Sequence, residues 1–72
     1  MKDHFTTIHE GHLYDGSVIR VIAPGADSPL AIIERNQGEH DAKFFIVDVL
    51  ETAKAVEKCK RIIQRSMEMK VK

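Results

Sequence analysis

Residues 44–51, Phe-Phe-Ile-Val-Asp-Val-Leu-Glu, constrain this chain more than any other segment, because they run an apolar stretch directly into the signature of a helix start. Phe44, Phe45, Ile46 and Val47 are aromatic or β-branched, the side chains that fit a pleated surface. Asp48 and Glu51 stand three residues apart. That is the capping-box spacing, in which the cap side chain and the later carboxylate each accept a hydrogen bond from the other's backbone N–H. The pattern predicts a strand over residues 43–47, an N-cap at Asp48 and a helix over residues 49–67.

Upstream, Asp15-Gly16 lies between His12-Leu13-Tyr14 and Ser17-Val18-Ile19, which predicts a β-hairpin with a two-residue type I′ turn. Its first arm begins near Phe5, with Gly11 expected as a bulge or bend, and its second arm covers residues 18–23. Residues 24–29, Pro-Gly-Ala-Asp-Ser-Pro, must form a surface loop, since each proline lacks the N–H a ladder needs. A third strand follows over residues 30–35, closed by residues 36–41. Along the helix, Ala53, Val56, Cys59 or Lys60, Ile63 and Met67 recur at steps of three and four, flanked by Ala55 and Ile62, so one face is apolar. Beyond Met67 the helix is expected to fray. The fold class is therefore α+β: an antiparallel meander of three or four strands with one C-terminal helix packed on one face, forming a single domain over residues 1–72.

With 72 residues the chain has room for one modest core, since a domain near this size buries only about 60% of its unfolded surface. A deep catalytic pocket is hard to house in so small a monomer, which favours binding over catalysis. Hydrophobic residues make up 43% and charged residues 31%, a composition that supports a compact fold. Met1-Lys2-Asp3-His4 has no apolar run of a secretory signal, and no segment approaches the roughly 18 apolar residues needed to cross a bilayer, so the expectation is a cytoplasmic protein with no membrane partner. Cys59 is the only cysteine and is expected to pack in the core.

The strands are apolar on both sides. Val18 and Ile22 point one way and Ile19 and Val21 the other; Ile32 opposes Ile33; Phe44 and Ile46 oppose Phe45 and Val47. One helix covers one face only. Either the N-terminal segment and the loop at residues 24–29 fold over the other face, or its scattered apolar residues simply remain exposed, or a partner or a second copy covers it.

No motif specifies a reaction. His9-Glu10-Gly11-His12 sets two imidazoles three residues apart, which places them on opposite sides of a strand unless Gly11 is a bulge; His4 or His40 would then be needed as a third metal ligand. Asp15, Asp27 and Asp41 sit where turns use Asp, and Asp48 is taken by capping. The charge layout says more. Residues 1–51 hold four Lys/Arg against nine Asp/Glu, and residues 52–72 hold seven against two. Lys54, Lys58, Arg61 and Arg65 fall at steps of four, three and four, forming one stripe along the helix. The stripe is either a surface for an anionic partner or a solvated face in which Glu57 pairs with Arg61.

The succession of strands and one helix, joined through Phe-Phe-Ile-Val-Asp-Val-Leu-Glu-Thr-Ala-Lys, looks like that of many small proteins encoded by bacteriophages and prophages, some of which bind and block host proteins. The resemblance covers most of the chain by architecture, carries over no functional residue, and implies an accessory role with a host protein as partner. The functional expectation is a non-catalytic protein-interaction module, homodimeric, without cofactor or metal, with Lys54, Lys58, Arg61, Arg65, Phe44 and Phe45 as the partner-binding residues. The alternative is a nucleic-acid-binding accessory protein using the helix stripe. An oligomeric enzyme whose intersubunit site recruits His9, His12 or His40 comes third.

Overall fold

The computed structural model describes residues 4–38 and 42–71. Four strands, β1 (Thr6–His12), β2 (Val18–Ala23), β3 (Leu30–Arg35) and β4 (Phe45–Glu51), precede one helix, α1 (Thr52–Val71). The strands form a single antiparallel sheet in the order β1-β2-β3-β4, so both β1 and β4 are edges. The α+β meander with one C-terminal helix is as the hydrophobic patterning predicts. Of the expected closing segment after β3, residues 39–41 lie outside the described residues.

The strand-to-helix junction differs from the expected one. β4 continues through Asp48 to Glu51 and the helix begins at Thr52, so Asp48 is a strand residue and caps nothing. The reason is the partner strand. β3 offers pairing positions as far as Leu30, with Leu30 opposite Glu51, Ala31 opposite Leu50 and Ile32 opposite Val49. Cross-strand pairing of Val49 and Leu50 outweighs the local capping pattern. Val47 is the extra residue of a bulge between the pairs Ile33–Asp48 and Glu34–Ile46. Thr52 then ties the helix start to the loop before β3: its N–H donates to the Pro29 carbonyl at 3.1 Å and its hydroxyl to the Ser28 carbonyl. Nor does the helix fray after Met67; it runs to Val71.

The first hairpin also closes differently. Gly16, at φ 88°, is the one described residue with positive φ, which rules out the type I′ turn because Asp15 would need positive φ as well. Gly16 N–H donates to the Leu13 carbonyl and Leu13 N–H to the Ser17 carbonyl, both at 2.9 Å. That is a three-residue loop, a β-turn followed by a left-handed glycine. Asp15 Oδ1 accepts from the Ser17 N–H at 3.0 Å and its hydroxyl at 2.6 Å, and these bonds, with Arg35 nearby, hold the Asp15 carboxyl below the usual range.

The core lies between the helix and one sheet face: Ile19, Val21, Ala23, Ala31 and Ile33 from the sheet meet Ala55 and Cys59, with Leu13 at the hairpin end. The buried side of the helix is centred on Ala55, Cys59 and Ser66, whereas Ala53 and Met67 are exposed, so at its C-terminal end the stripe is displaced by one residue, about 100°, from the expected one. Ser66 explains the shift at the C-terminal end. Its hydroxyl accepts the Tyr14 N–H at 2.6 Å, so the helix presents a polar side chain to the backbone of the hairpin loop. Gly11 is not the bulge, which sits between Thr7 and His9. It marks close approach: a Cβ there would collide with Ile63. Cys59 is buried, and desolvation pushes its thiol pKa up.

Candidate interaction surfaces

The sheet face away from the helix is where the molecule is unusual. Register sets Ile22 beside Ile32 and Ile32 beside Val49 on this face. Phe5, Leu30, Ile46 and Val49 are exposed around them, with Ile46 at 66% and Val49 at 50%. Among the described residues, Phe5 and the loop at residues 24–29 leave the face open, with Phe5, Pro24 and Pro29 forming walls of an apolar groove of about 370 Å³ whose floor includes Ile32 and Val49; residues 1–3 lie outside the described residues. One patch is closed by the chain itself. Arg20 Nε donates to Glu34 Oε1 at 2.7 Å, and the Phe44 ring lies over the Arg20 guanidinium at 3.7 Å, giving a cation–π contact. Of the predicted contact residues, Phe44 is therefore engaged internally. Phe45, beside Arg35 in register, is exposed and with Val47 lines a separate cleft of about 500 Å³.

β4 is an edge with an unusual feature at its centre. Asp48 Oδ1 accepts the N–H of the next residue, Val49, at 2.8 Å, while Oδ2 receives Lys58 Nζ at 2.8 Å. These two bonds, the Lys58 contact foremost, hold the Asp48 carboxyl below the usual range. Because Thr52 N–H bonds the Pro29 carbonyl, the alternation of an antiparallel ladder turns Leu50 and Asp48 towards β3 and leaves the backbone groups of Val49 and Glu51 pointing off the edge. The Asp48 carboxylate thus occupies one of the edge's free donors.

The predicted basic stripe is present but is reduced to three cations. Lys54, Arg61 and Arg65 are exposed, whereas Lys58 is committed to Asp48. Among the described residues Glu57 makes no ion pair with Arg61. Lys58, Arg61 and Arg65 also border a cleft of about 300 Å³ floored by Ile62. The stripe meets β4 at Lys58, which reaches Asp48, whereas Arg65 lies beside Leu13, Tyr14 and Ser66 at the hairpin end of the sheet.

Sequence reasoning missed the Arg20–Glu34 and Asp48–Lys58 pairs. A signal for the first exists: Arg20 interrupts the apolar β2, Glu34 follows the apolar run of β3, and opposite charges on facing strands stabilise a register. The second has no local signature. His9 pairs with Val21 and His12 with Val18, so the register sends the two imidazoles to opposite faces. Among the described residues no three His, Cys, Asp or Glu side chains gather in a metal-holding group, and His40 lies outside them. No described helix is long and apolar enough to cross a membrane. No protein-family model, curated protein or solved structure matches this chain.

Proposed function

We propose that this chain is a non-catalytic, cytoplasmic protein-interaction module that self-associates through the open face of its sheet. The observation that carries this reading is the exposed apolar surface built by Phe5, Leu30, Ile46 and Val49 opposite the helix. Patches of this kind on a small domain mark interaction sites more often than idle surface. The charged side chains near it already have structural partners: Glu34 holds Arg20, Asp48 holds Lys58, and Asp15 holds Ser17 and Arg35. The architectural likeness to phage-encoded accessory proteins makes a host protein the other candidate for the same face.

Size sets the expected strength. Four strands about 4.8 Å apart and six residues long give a footprint of about 19 by 20 Å, well below the roughly 800 Å² per partner of a standard stable interface. Association is therefore weak and concentration-dependent. Sedimentation across micromolar to millimolar protein should show a monomer–dimer equilibrium, displaced to monomer by Ile46→Glu and unaffected by Met67→Glu on the helix. A wild-type monomer at all concentrations overturns self-association.

The exposed cations Lys54, Arg61 and Arg65 support nucleic-acid binding as a second reading. About three phosphate contacts would make affinity fall with salt at a log–log slope near −2.7, and absence of a shift with duplex or single-stranded oligonucleotides at low salt removes it.

A further inference from the structure

The helix crosses the sheet instead of following a strand. Thr52 is bonded to Pro29 and Ser28 before β3, Lys58 reaches Asp48 on β4, Ile63 lies on Gly11 of β1, and Ser66 accepts the Tyr14 N–H in the hairpin loop. This diagonal leaves one corner of the helix-side face bare, where β3 ends and β4 begins. Arg35 stands two residues from the buried Ile33 and so shares its face, and Phe45 is opposite Arg35 in register. Phe45 is nevertheless exposed at 50%, and Val47, which lines the same cleft of about 500 Å³, at 47%. Arg35 also borders a smaller recess of about 210 Å³, in which Ile62, Arg65 and Met69 of the helix meet Leu13 and Tyr14 of the hairpin. Ile62 and Arg65 in turn line the cleft that holds Arg61 and Lys58. Shared residues thus join the three clefts along one flank of the helix.

Their charge is one-sided. Arg35, Lys58, Arg61 and Arg65 line them, and among the described residues no carboxylate does. Asp15 holds Arg35 and Asp48 holds Lys58, whereas Arg61 and Arg65 are exposed and have no acidic partner among the described residues.

We propose that this corner docks a short acidic segment of a partner protein, anchored by bulky apolar side chains. The recess between Leu13, Ile62 and Met69 takes one such side chain and the Phe45–Val47 cleft another, while Arg61 and Arg65 bind the carboxylates beside them. Nucleic acid is the weaker fit. The polar edge of a base would lose its hydrogen bonds against an aliphatic recess, and two uncompensated cations are few for a phosphate backbone. A second copy placed corner to corner would set arginines against arginines. The corner and the open face lie on opposite sides of the sheet, so this docking goes beyond self-association and both surfaces can be occupied at once.

The test is fluorescence anisotropy with labelled nine-residue peptides of glutamate and serine, each carrying two leucines spaced two, three or four residues apart, at protein concentrations where sedimentation shows monomer. Saturable binding by at least one spacing is expected, lost when lysine replaces glutamate and when alanine replaces leucine. Arg61→Gln/Arg65→Gln should weaken it about tenfold without shifting the thermal melt, because both side chains are exposed. Phe45→Ser should weaken it in protein that the melt shows to be folded. Ile46→Glu, on the other face, should leave it unchanged. Equal binding of the leucine and alanine peptides would mean charge attraction without docking and would overturn the proposal. So would loss of binding in Ile46→Glu with none in the arginine variant, which would put the peptide on the open face. Binding of a single-stranded oligonucleotide but of no peptide, or no peptide binding at millimolar protein, would overturn it as well.

Discussion

The docking of the helix on β1 rests on one missing side chain, and a double-mutant cycle measures it. A Cβ at Gly11 would collide with the Ile63 Cδ1 methyl and lie 3.3 Å from its Cγ1. Gly11→Ala adds one methyl to a packed contact, a change that costs on the order of 1–3 kcal/mol, against about 0.4–1 kcal/mol recovered from the less flexible unfolded chain. The obstructing atom is the end of a side chain that can swing, so the net cost should sit near 1 kcal/mol. Ile63→Val removes the colliding methyl; Ile63 is only partly buried, so the loss should be about 0.5 kcal/mol, the low end for this substitution. Independent effects would make the double variant about 1.5 kcal/mol less stable. If instead the alanine methyl takes the space Cδ1 vacates, the double variant loses only about 0.5 kcal/mol, a coupling near 1 kcal/mol. In a domain of this size 1 kcal/mol corresponds to about 4–8 °C in Tm, so circular-dichroism melts of the four proteins resolve it. Additivity within about 0.3 kcal/mol would show that Gly11 and Ile63 do not meet and that the helix sits differently on β1.

Gly16→Ala should destabilise by about 1 kcal/mol, because φ is 88° there, and Gly16→Asn by less; denaturant titration compares them. Asp48 has a lowered pKa, so its contribution is present above the ordinary carboxylate range and disappears as pH falls through the folded value. The stability gap between wild type and Asp48→Ala should therefore close below about pH 4 in melts run as a pH series. The buried Cys59 thiol should react with a thiol reagent at the rate of unfolding in the native protein and immediately in denaturant; fast native-state labelling would show that the helix face is open.

Periodicity exposed the strands and the helix because it reports burial, and burial here follows the chain's own order: each strand pairs with the next and the helix returns over them. Asp48 shows where that stops. The residues Asp48 and Glu51 satisfy a local rule for a helix start, yet the pairing capacity of Leu30, Ala31 and Ile32 lies some twenty residues away in sequence, and the longer ladder prevails. Asp-Gly at positions 15–16 failed for a narrower reason. The residues suit a two-residue turn, but the hydrogen bonds from Leu13 and Ser17 close the hairpin one residue wider and leave Asp15 free to hold Ser17. The two-sided apolar character of the sheet was legible, since alternation is a property of each strand alone. That Phe44 turns onto Arg20 was not, because the cation comes from β2, one strand beyond the partner of β4.

The absence of a loop between β4 and the helix has a consequence for how the edge behaves. A linker would let the helix drift across the sheet; here Thr52 is bonded to Pro29 and Ser28, so the first turn is held over the end of β3, and Lys58 is bonded to Asp48 at the middle of β4. An apolar edge strand left bare invites pairing with any extended chain, including another copy. In this protein the Asp48 carboxylate occupies one edge donor, the Val49 N–H, and Lys58 holds that carboxylate in place. Asp48→Ala should therefore free the donor and bring on edge-to-edge assembly, seen as higher-order species in sedimentation that Ile46→Glu does not abolish. If the variant associates no further than wild type, the Asp48 carboxylate is not what keeps the β4 edges apart.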